Sequence, residues 1–384
     1  MSTFIPDEIK ELNILCRAGR LYEVEAWIRE GKPVLWPQRP SKSPLWVSIN
    51  TGFHSLVELF LKSGVRPERA HLQHAMFTRQ TDMVELLVKY GADVHWVSFE
   101  DVFRTGDRQL MDLFIQKGAD PIAGAPLAMA LKTVIRPLLG FYRSYRDQYP
   151  DLQLQIDMAL RYACEEGKLG AVCKLLWAGA NPRASVPSVD APGDEDWNHS
   201  PLEMAVWRGH VPIVDKIGID PTRDDLNLLL DRAAFAKSPD LIRRLVEAGA
   251  NPSGVGEHQP LRNLFCVLGW DLKAYYASDR DGSQALECIK LMIELGTKIE
   301  PRDRHDFSVF RQPLYSLEPG QFFDLIGQMQ KHHACCAEVF RKLLKSPTLK
   351  TRLRGHQDRL MEVLSFLKRR PLKTVDAKAS DVRL

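Results

Sequence analysis

Residues 179–182 read Gly-Ala-Asn-Pro and end an apolar helical stretch, and the same phrase recurs along the chain. Close copies stand at 91–93, 118–121, 218–221 and 249–252, and looser copies stand at 31–33, 64–67 and 296–298. A glycine after a helix adopts the left-handed conformation, Asn or Asp turns the chain, and proline stops the helix from continuing. The phrase therefore marks the end of a repeated helical unit.

A second residue stands at a fixed distance before several of these endings. Twelve residues earlier lie Gly19, Gly52, Gly106 and Gly167, and Arg79 and Lys237 occupy the same position in two further units. Twelve residues hold a tight turn and a helix of about two turns, and the apolar residues between fall at helical spacing. Each unit is predicted to be a short helix, a turn, a second helix and a loop. Such a unit cannot cover its own apolar face, so the units must stack.

Residues 200–210 read Ser-Pro-Leu-Glu-Met-Ala-Val-Trp-Arg-Gly-His, which resembles the opening T-P-L-H-x-A-A-x-x-G-H of the ankyrin-repeat family. Residues 43–46, Ser-Pro-Leu-Trp, resemble a second copy, and the Gly-Ala-Asn-Pro endings resemble that family's closing signature. The resemblance covers residues 12–299, about three quarters of the chain. It implies an all-α fold: an ankyrin-type helix-turn-helix repeat solenoid with an irregular central unit and a helical C-terminal cap.

The spacing of the terminal glycines departs from the family's period of about 33 residues. Successive spacings are 33, 27, 27, 61, 39, 31 and 47 residues. The two short units are predicted to have lost the loop that forms a β-hairpin finger. The long gap is predicted to hide an irregular unit over about 125–155, built on Pro126-Leu127-Ala128-Met129-Ala130-Leu131. Only nine residues separate Gly209 from Gly218, which predicts a second helix about one turn short.

The domain organisation that follows is a repeat array over 1–299 and a C-terminal capping region over 300–384. Two long loops, 184–199 and 269–283, interrupt the array, and either a function or simple mobility explains loops of this length. Residues 341–373 contain eleven Lys or Arg and two acidic residues, a net charge of +9, which leaves −6 for the rest of a chain whose total is +3. The basic charge is therefore concentrated at one end.

Several functional classes find no support in the sequence. There are seven cysteines without CxxC spacing, so neither a disulfide framework nor a zinc ribbon is expected. No secretory signal and no apolar run of about 20 residues is seen, which predicts a soluble, cytoplasmic protein, although delivery into another cell stays open. No phosphate loop, HExxH or GxSxG motif occurs. We expect no enzyme activity, no catalytic residues and no cofactor.

One stretch of the sequence contains residue types that can bind a metal ion. Residues 331–336 read Lys-His-His-Ala-Cys-Cys, and His332 and Cys336 stand one helical turn apart. Tetrahedral zinc needs two further ligands, and the chain offers no second spaced pair. We therefore expect a capping helix with buried cysteines and no metal site.

The resemblance also implies where a partner binds, because proteins of this family commonly hold theirs on the concave face made by the first helices. The variable positions of the opening motif face that groove. In this chain they are His74, Phe77, Asp101, Arg104, Tyr162, Glu165, Met204, Trp207, Arg208, Arg232 and Phe235. Trp207 with Arg208 is the predicted centre, because large aromatics and arginine dominate interface energetics.

The irregular segment adds Tyr142, Arg143, Tyr145 and Arg146 as candidate contacts. Protein contact, internal packing and single-stranded nucleic acid binding all remain open for it. The leading hypothesis for the whole chain is a non-catalytic protein-interaction module serving as adaptor, inhibitor or immunity-type partner. The alternative is a nucleic-acid or anionic-surface binder using the basic residues of 341–373. A secreted effector or an enzyme with an unrecognised site comes third.

Overall fold

The computed structural model describes residues 7–35, 42–194, 197–271, 282–297, 299, 309–311, 314, 317–332 and 347–368. The chain forms two compact units, Met1–Pro201 and Leu202–Leu384. Helices are numbered α1 to α21 in chain order. The described residues contain no regular strand, and isolated bridges occur in the loops 186–199 and 255–258.

The first unit is a series of six helix pairs. Their bounds are α1 Asp7–Arg17 and α2 Leu21–Arg29, α3 Pro44–Thr51 and α4 His54–Lys62, α5 Arg69–Phe77 and α6 Thr81–Lys89, α7 Phe99–Thr105 and α8 Arg108–Gln116, α9 Pro126–Leu131 and α10 Arg136–Tyr145, α11 Leu152–Glu165 and α12 Leu169–Ala178. Each first helix packs on the first helix of the next pair, from α1 through to α11, and second helices pack in the same way at α2 with α4, α6 with α8 and α10 with α12. The pairs thus form two helical layers with the core between them.

The second unit repeats this arrangement and ends in further helices. Its helices are α13 Pro201–Trp207, α14 Val211–Ile217, α15 Leu226–Phe235, α16 Pro239–Glu247, α17 Pro260–Asp271, α18 Ser283–Glu294, α19 Pro319–Lys331, α20 Pro347–Arg352 and α21 Gln357–Lys368. α14 has seven residues against nine in α16. The second helix of this unit is therefore shorter, as predicted, but by two residues and not by a full turn. The capping region is helical where it is described, and the domain boundary at residue 299 stays a prediction.

The turns between paired helices confirm the pattern of fixed distances. All six positions found from the sequence have a positive φ, including the two without glycine, Arg79 at 59° and Lys237 at 52°. Gly19 carries a second constraint besides its φ of 68°, because a Cβ atom there would lie 2.7 Å from Cζ of Phe53 in the next pair's turn. A side chain at that position would be strained by its conformation and would require the Phe53 ring to shift.

The 61-residue gap contains a whole helix pair, as predicted. α9 begins at Pro126 after Ala125, a non-glycine residue with φ 54°. Edge-to-face packing of Phe103 on Phe141, with ring centroids 4.8 Å apart, joins this pair to the one before it. The irregular unit is therefore a full member of the stack.

Bridged loops occur where the sequence has room for them. Val186 pairs with His199, Ser188 with Ala191 and Val255 with His258. Among the described residues, the loops of the two 27-residue units have no such bridge, which agrees with the predicted loss of their fingers. No helix in the described part of the chain is long and apolar enough to span a bilayer.

Candidate protein-binding face

The first helices carry nearly all the residues predicted to face a partner. His74 and Phe77 lie on α5, Asp101 and Arg104 on α7, Tyr162 and Glu165 on α11, Met204 and Trp207 on α13, and Arg232 and Phe235 on α15, and Arg208 directly follows α13. Within each unit, we call the surface formed by the first helices the first-helix face. Its accessibility differs sharply from one pair to the next.

At the second and third pairs the face is open and aromatic. The Trp46 and His74 rings stack with centroids 4.1 Å apart, and Nε2 of His74 lies 3.1 Å from Oδ1 of Asn50. Phe77, at the end of α5, is 57% exposed. A single exposed aromatic is common on protein surfaces, and Phe77 is of interest because it lies on the same helix as the stacked His74.

The buried side chain of His71 stabilises this open region. Nδ1 of His71 accepts a hydrogen bond from the backbone N–H of Glu68 at 3.0 Å, so Nε2 carries the proton and donates to Oγ of Ser43 at 3.2 Å. Ser43 also caps α3 by accepting from Trp46 N. Burial, with the nearby His74 adding to it, lowers the pKa of His71 to about 4, so the ring is neutral at pH 7.

The next first helix presents charge. Asp101 is half-buried and accepts a hydrogen bond from Oγ of Ser98 at 2.9 Å within the helix cap. Arg104 is exposed and pairs with Glu100 on the same helix at 2.5 Å. Exposed pairs of this kind contribute little to stability, so the Arg104 guanidinium can exchange Glu100 for a partner's carboxylate.

At the fifth and sixth pairs the chain covers its own first-helix face. Val186 and Val189, each 2% exposed, pack on Ala128 of α9 and Met158 of α11. Tyr162, a predicted partner contact, packs against the same cluster. We call residues 184–194 the covering loop. The two valines fold back where they bury apolar surface, so this part of the long loop 184–199 packs on the helices.

Polar contacts hold the covering loop in place. A buried guanidinium N–H of Arg161 donates to the backbone carbonyl of Val186 at 2.6 Å, and Nζ of Lys132 pairs with Asp190 at 2.7 Å. Lys132 and Lys168 also lie 4.5 and 4.6 Å from the ring centroid of Tyr162. The Tyr162 ring is engaged by its own chain, and Glu165 is half-buried.

Below the covering loop lies a buried carboxyl group. Asp157 accepts hydrogen bonds from the backbone N–H of Asn181 at 2.6 Å and from Nε2 of Gln153 at 2.9 Å. It thereby fixes the turn after α12. Burial raises the pKa of Asp157 to about 6 even though both hydrogen bonds favour the ionised form.

In the second unit the face centres on a stacked arginine. The guanidinium of Arg232 lies 4.5 Å from the ring centroid of Trp207 and pairs with Glu203 at 2.8 Å. Trp207 and Phe235 are half-buried and Arg208 is exposed. Met204 is a correction: it is 4% exposed, because α13 is apolar around most of its surface and buries its variable position too.

The irregular segment divides between core and surface. Tyr142 is 1% exposed and donates to Gln153 at 2.6 Å, so its predicted role as a contact is wrong. It stands four residues after Leu138 and continues that helix's buried stripe. Tyr145 is half-buried and donates to Asp112, while Arg143 and Arg146 are exposed.

Exposed aromatics on the second helices were missed, among them Tyr22 of α2 at 83% exposure and Trp177 of α12. Trp177 of α12 is 70% exposed, and the Arg143 guanidinium lies 3.4 Å from its ring centroid. The helical period carries a signal for it, since Val172 and Leu175 define the buried stripe and position 177 falls off that stripe.

Of the basic segment 341–373, residues 347–368 are described, and Arg354 and Arg359 there are exposed. Of the 331–336 run, α19 ends at Lys331, His332 follows it, and 333–336 also lie outside. The part of loop 269–283 over 272–281 is outside as well. In the described part of the chain, no three His, Cys, Asp or Glu side chains come together as a metal site would require.

Known proteins are similar to this chain only at a low level. No protein-family model matches the sequence, and no curated protein matches it. Among solved structures, the ankyrin repeat domain of Bcl-3, a member of the IkappaB protein family, is 19% identical, covers 68% of this chain and 94% of its own, and has a TM-score of 0.31. The human ASB11 ankyrin repeat domain is 17% identical to this chain and has a TM-score of 0.24. The match covers 72% of this chain and 96% of the ASB11 domain. Values this low carry no argument about function, and the fold class rests on the helix pairs themselves.

Proposed function

We propose that this protein is a non-catalytic module that binds another protein through its first-helix face. The observation that carries the proposal is Phe77, more than half exposed beside a first helix that presents Arg104. Aromatic and arginine side chains supply most of the binding energy at protein interfaces. The stacked Trp207 and Arg232 pair, with exposed Arg208, offers the same chemistry in the second unit.

The test is capture of a stoichiometric partner from native lysate of the source organism. Replacing Phe77 and Arg104 together by Ala, or Trp207 and Arg208 together by Ala, should weaken binding of the captured protein at least about tenfold. Circular dichroism should show unchanged helicity in both variants.

Trp177→Ala is the matched control, because Trp177 is an exposed aromatic on the other helical layer. It should leave the affinity unchanged. If Trp177→Ala abolishes capture and the first-helix variants do not, the proposed face is wrong. Adaptors, inhibitors and immunity-type partners all bind in this general way, and the identity of the captured protein distinguishes them.

The nucleic-acid alternative makes an opposite prediction. Binding through the basic residues of 341–373 would fall steeply with salt, because each neutralised phosphate releases counterions. A flat salt response in a gel shift would remove this alternative.

A further inference from the structure

A groove of about 560 Å³ lies between α1 and α3, on the first-helix face of the first two pairs. Its lining includes Asn13 and Arg17 from α1, Lys42 before α3, and Trp46 and Asn50 from α3. Ligand-binding clefts commonly enclose about 300–1,000 Å³. None of these five residues belongs to the contacts predicted from the repeat motif.

Asn13 brings an unsatisfied acceptor to this groove. Its side chain is 3% exposed, and Nδ2 donates to the backbone carbonyl of Lys42 at 3.0 Å. Only the NH₂ end of the amide can donate to a carbonyl, so this contact fixes which end is oxygen. Oδ1 is buried and accepts no hydrogen bond from the residues that the structure describes. A buried acceptor without a donor is costly, and a ligand with an N–H would remove that cost.

The rim of the groove is cationic. Arg17 and Lys42 are both exposed, and within the described chain neither forms a salt bridge with a carboxylate. The Asn50 oxygen is engaged by His74, which leaves the Asn50 amide nitrogen as a further donor. The groove therefore combines one buried acceptor with a ring of donors and positive charge.

A flat apolar wall completes the site. The Trp46 indole is held by stacking on His74 and lies 6.1 Å from His71, centroid to centroid. Because those contacts fix the ring, it is available without loss of side-chain freedom on binding.

We propose that this groove binds an extended acidic peptide segment of a partner protein. A backbone N–H of the peptide donates to Oδ1 of Asn13, a carboxylate lies between Arg17 and Lys42, and an adjacent side chain packs on Trp46. Charge-assisted hydrogen bonds of this kind are the stronger ones. The phosphodiester backbone of a nucleic acid supplies negative charge for Arg17 and Lys42. It has no N–H group, so it leaves Oδ1 of Asn13 without a donor. The proposal rests on the proposed function and specifies its partner.

The experiment pans a displayed library of random 12-residue peptides against the full chain and measures binding of fluorescein-labelled selected peptides by anisotropy. Selected peptides should be enriched in Asp and Glu. Arg17→Glu and Lys42→Glu should each weaken binding about tenfold or more. Lys117→Glu, an exposed cation after α8, should change it less than twofold.

Asn13→Leu separates a ligand-binding role from a structural one. A binding role predicts about tenfold weaker peptide binding, measured at a temperature where circular dichroism shows the variant to be folded. Unchanged affinity with a lower melting temperature would assign Asn13 to the fold alone and overturn its part in the site.

Other outcomes overturn the groove without touching the protein-binding proposal. One is that no peptide is selected, and another is that the selected peptides are not enriched in Asp and Glu. A third is that Arg17→Glu and Lys42→Glu leave peptide binding unchanged. In each case, binding of the captured partner protein must still be weakened by replacing Phe77. Tighter, salt-steep binding of a labelled oligo-dT through the same two cations would assign the groove to nucleic acid. If every variant of the first-helix face still binds both the peptide and the partner protein, both proposals are overturned.

Discussion

The first-helix face is the same structural element at both ends of the first unit, yet its two ends differ in what covers them. At the second and third pairs, a stacked Trp46 and His74 and an exposed Phe77 meet solvent. At the fifth and sixth pairs, Val186 and Val189 lie over the face and Tyr162 is enclosed. Loop length separates the third pair from the sixth, since the 27-residue unit of the third pair has no spare chain and the loop after α12 does. The loops therefore decide which repeats a partner can reach.

The largest expected effect comes from breaking the cover. Val186→Asp places a charge in the cluster of Ala128 and Met158 and should lower the free energy of unfolding by about 2–4 kcal/mol. Urea unfolding measures this loss, and limited proteolysis should show new cleavage within the covering loop. Val255→Asp is the control, because Val255 sits in another bridged loop but is 48% exposed. Its effect should stay below about 0.5 kcal/mol, and equal effects in both variants would contradict a packed cover.

The open end should lose stability in acid. His71 has a folded pKa of about 4 against its ordinary value of 6.5, so the unfolded chain binds the proton first. Stability is present above pH 6.5 and is lost as pH falls toward 4, by at most about 3 kcal/mol. His71→Gln keeps one hydrogen-bond acceptor and one donor, and it should make stability depend less on pH between about 4 and 6.5. Urea midpoints from pH 4 to 7 test this, and an unaltered slope in the variant would refute it.

The covered end should respond with the opposite sign. Asp157 has a folded pKa of about 6 against 3.8, so the folded state binds its proton first. Its contribution to stability falls as pH rises from about 4 to about 6. Asp157→Asn still accepts from Asn181 and should make the loss of stability in acid steeper than in the wild type. A shallower acid limb in this variant would show that the sign is wrong.

The smallest effect concerns the turns. The open end has Arg79 at φ 59° where the covered end has Gly167 at φ 69°. A side chain in the left-handed region costs about 1–2 kcal/mol, partly offset by the extra freedom of glycine in the unfolded chain. Arg79→Gly should therefore raise the melting temperature slightly, and Gly167→Arg should lower it by a similar amount. Shifts of the same sign would contradict this account.

The repeat architecture could be predicted from sequence because its signals are local. Glycine, Asn or Asp, and proline at a helix end act within a few residues, and the fixed distance found even the non-glycine turns at Arg79 and Lys237. The hidden pair beginning at Pro126 followed from the same logic, since proline at a first helical position needs no neighbours to be recognised.

Accessibility could not be predicted, because it depends on what packs against each helix. Val186 and Val189 stand in a polar stretch without helical or strand period, so nothing local announces that they cover α9 and α11. Met204 occupies a formally outward position of the repeat motif and is buried by its surroundings. Asn13 appears in sequence as an ordinary helical polar residue, and only the structure reveals its unsatisfied oxygen.

The contact between Gly19 and Phe53 has an evolutionary consequence. A Cβ at position 19 would lie 2.7 Å from the ring, so the tolerance of one position depends on the occupant of the other. Related sequences should keep glycine at 19 wherever position 53 is aromatic, and admit Asn, Arg or Lys there once position 53 is small. The turns of adjacent pairs would then covary across lineages, and that covariation would record which repeats have remained neighbours.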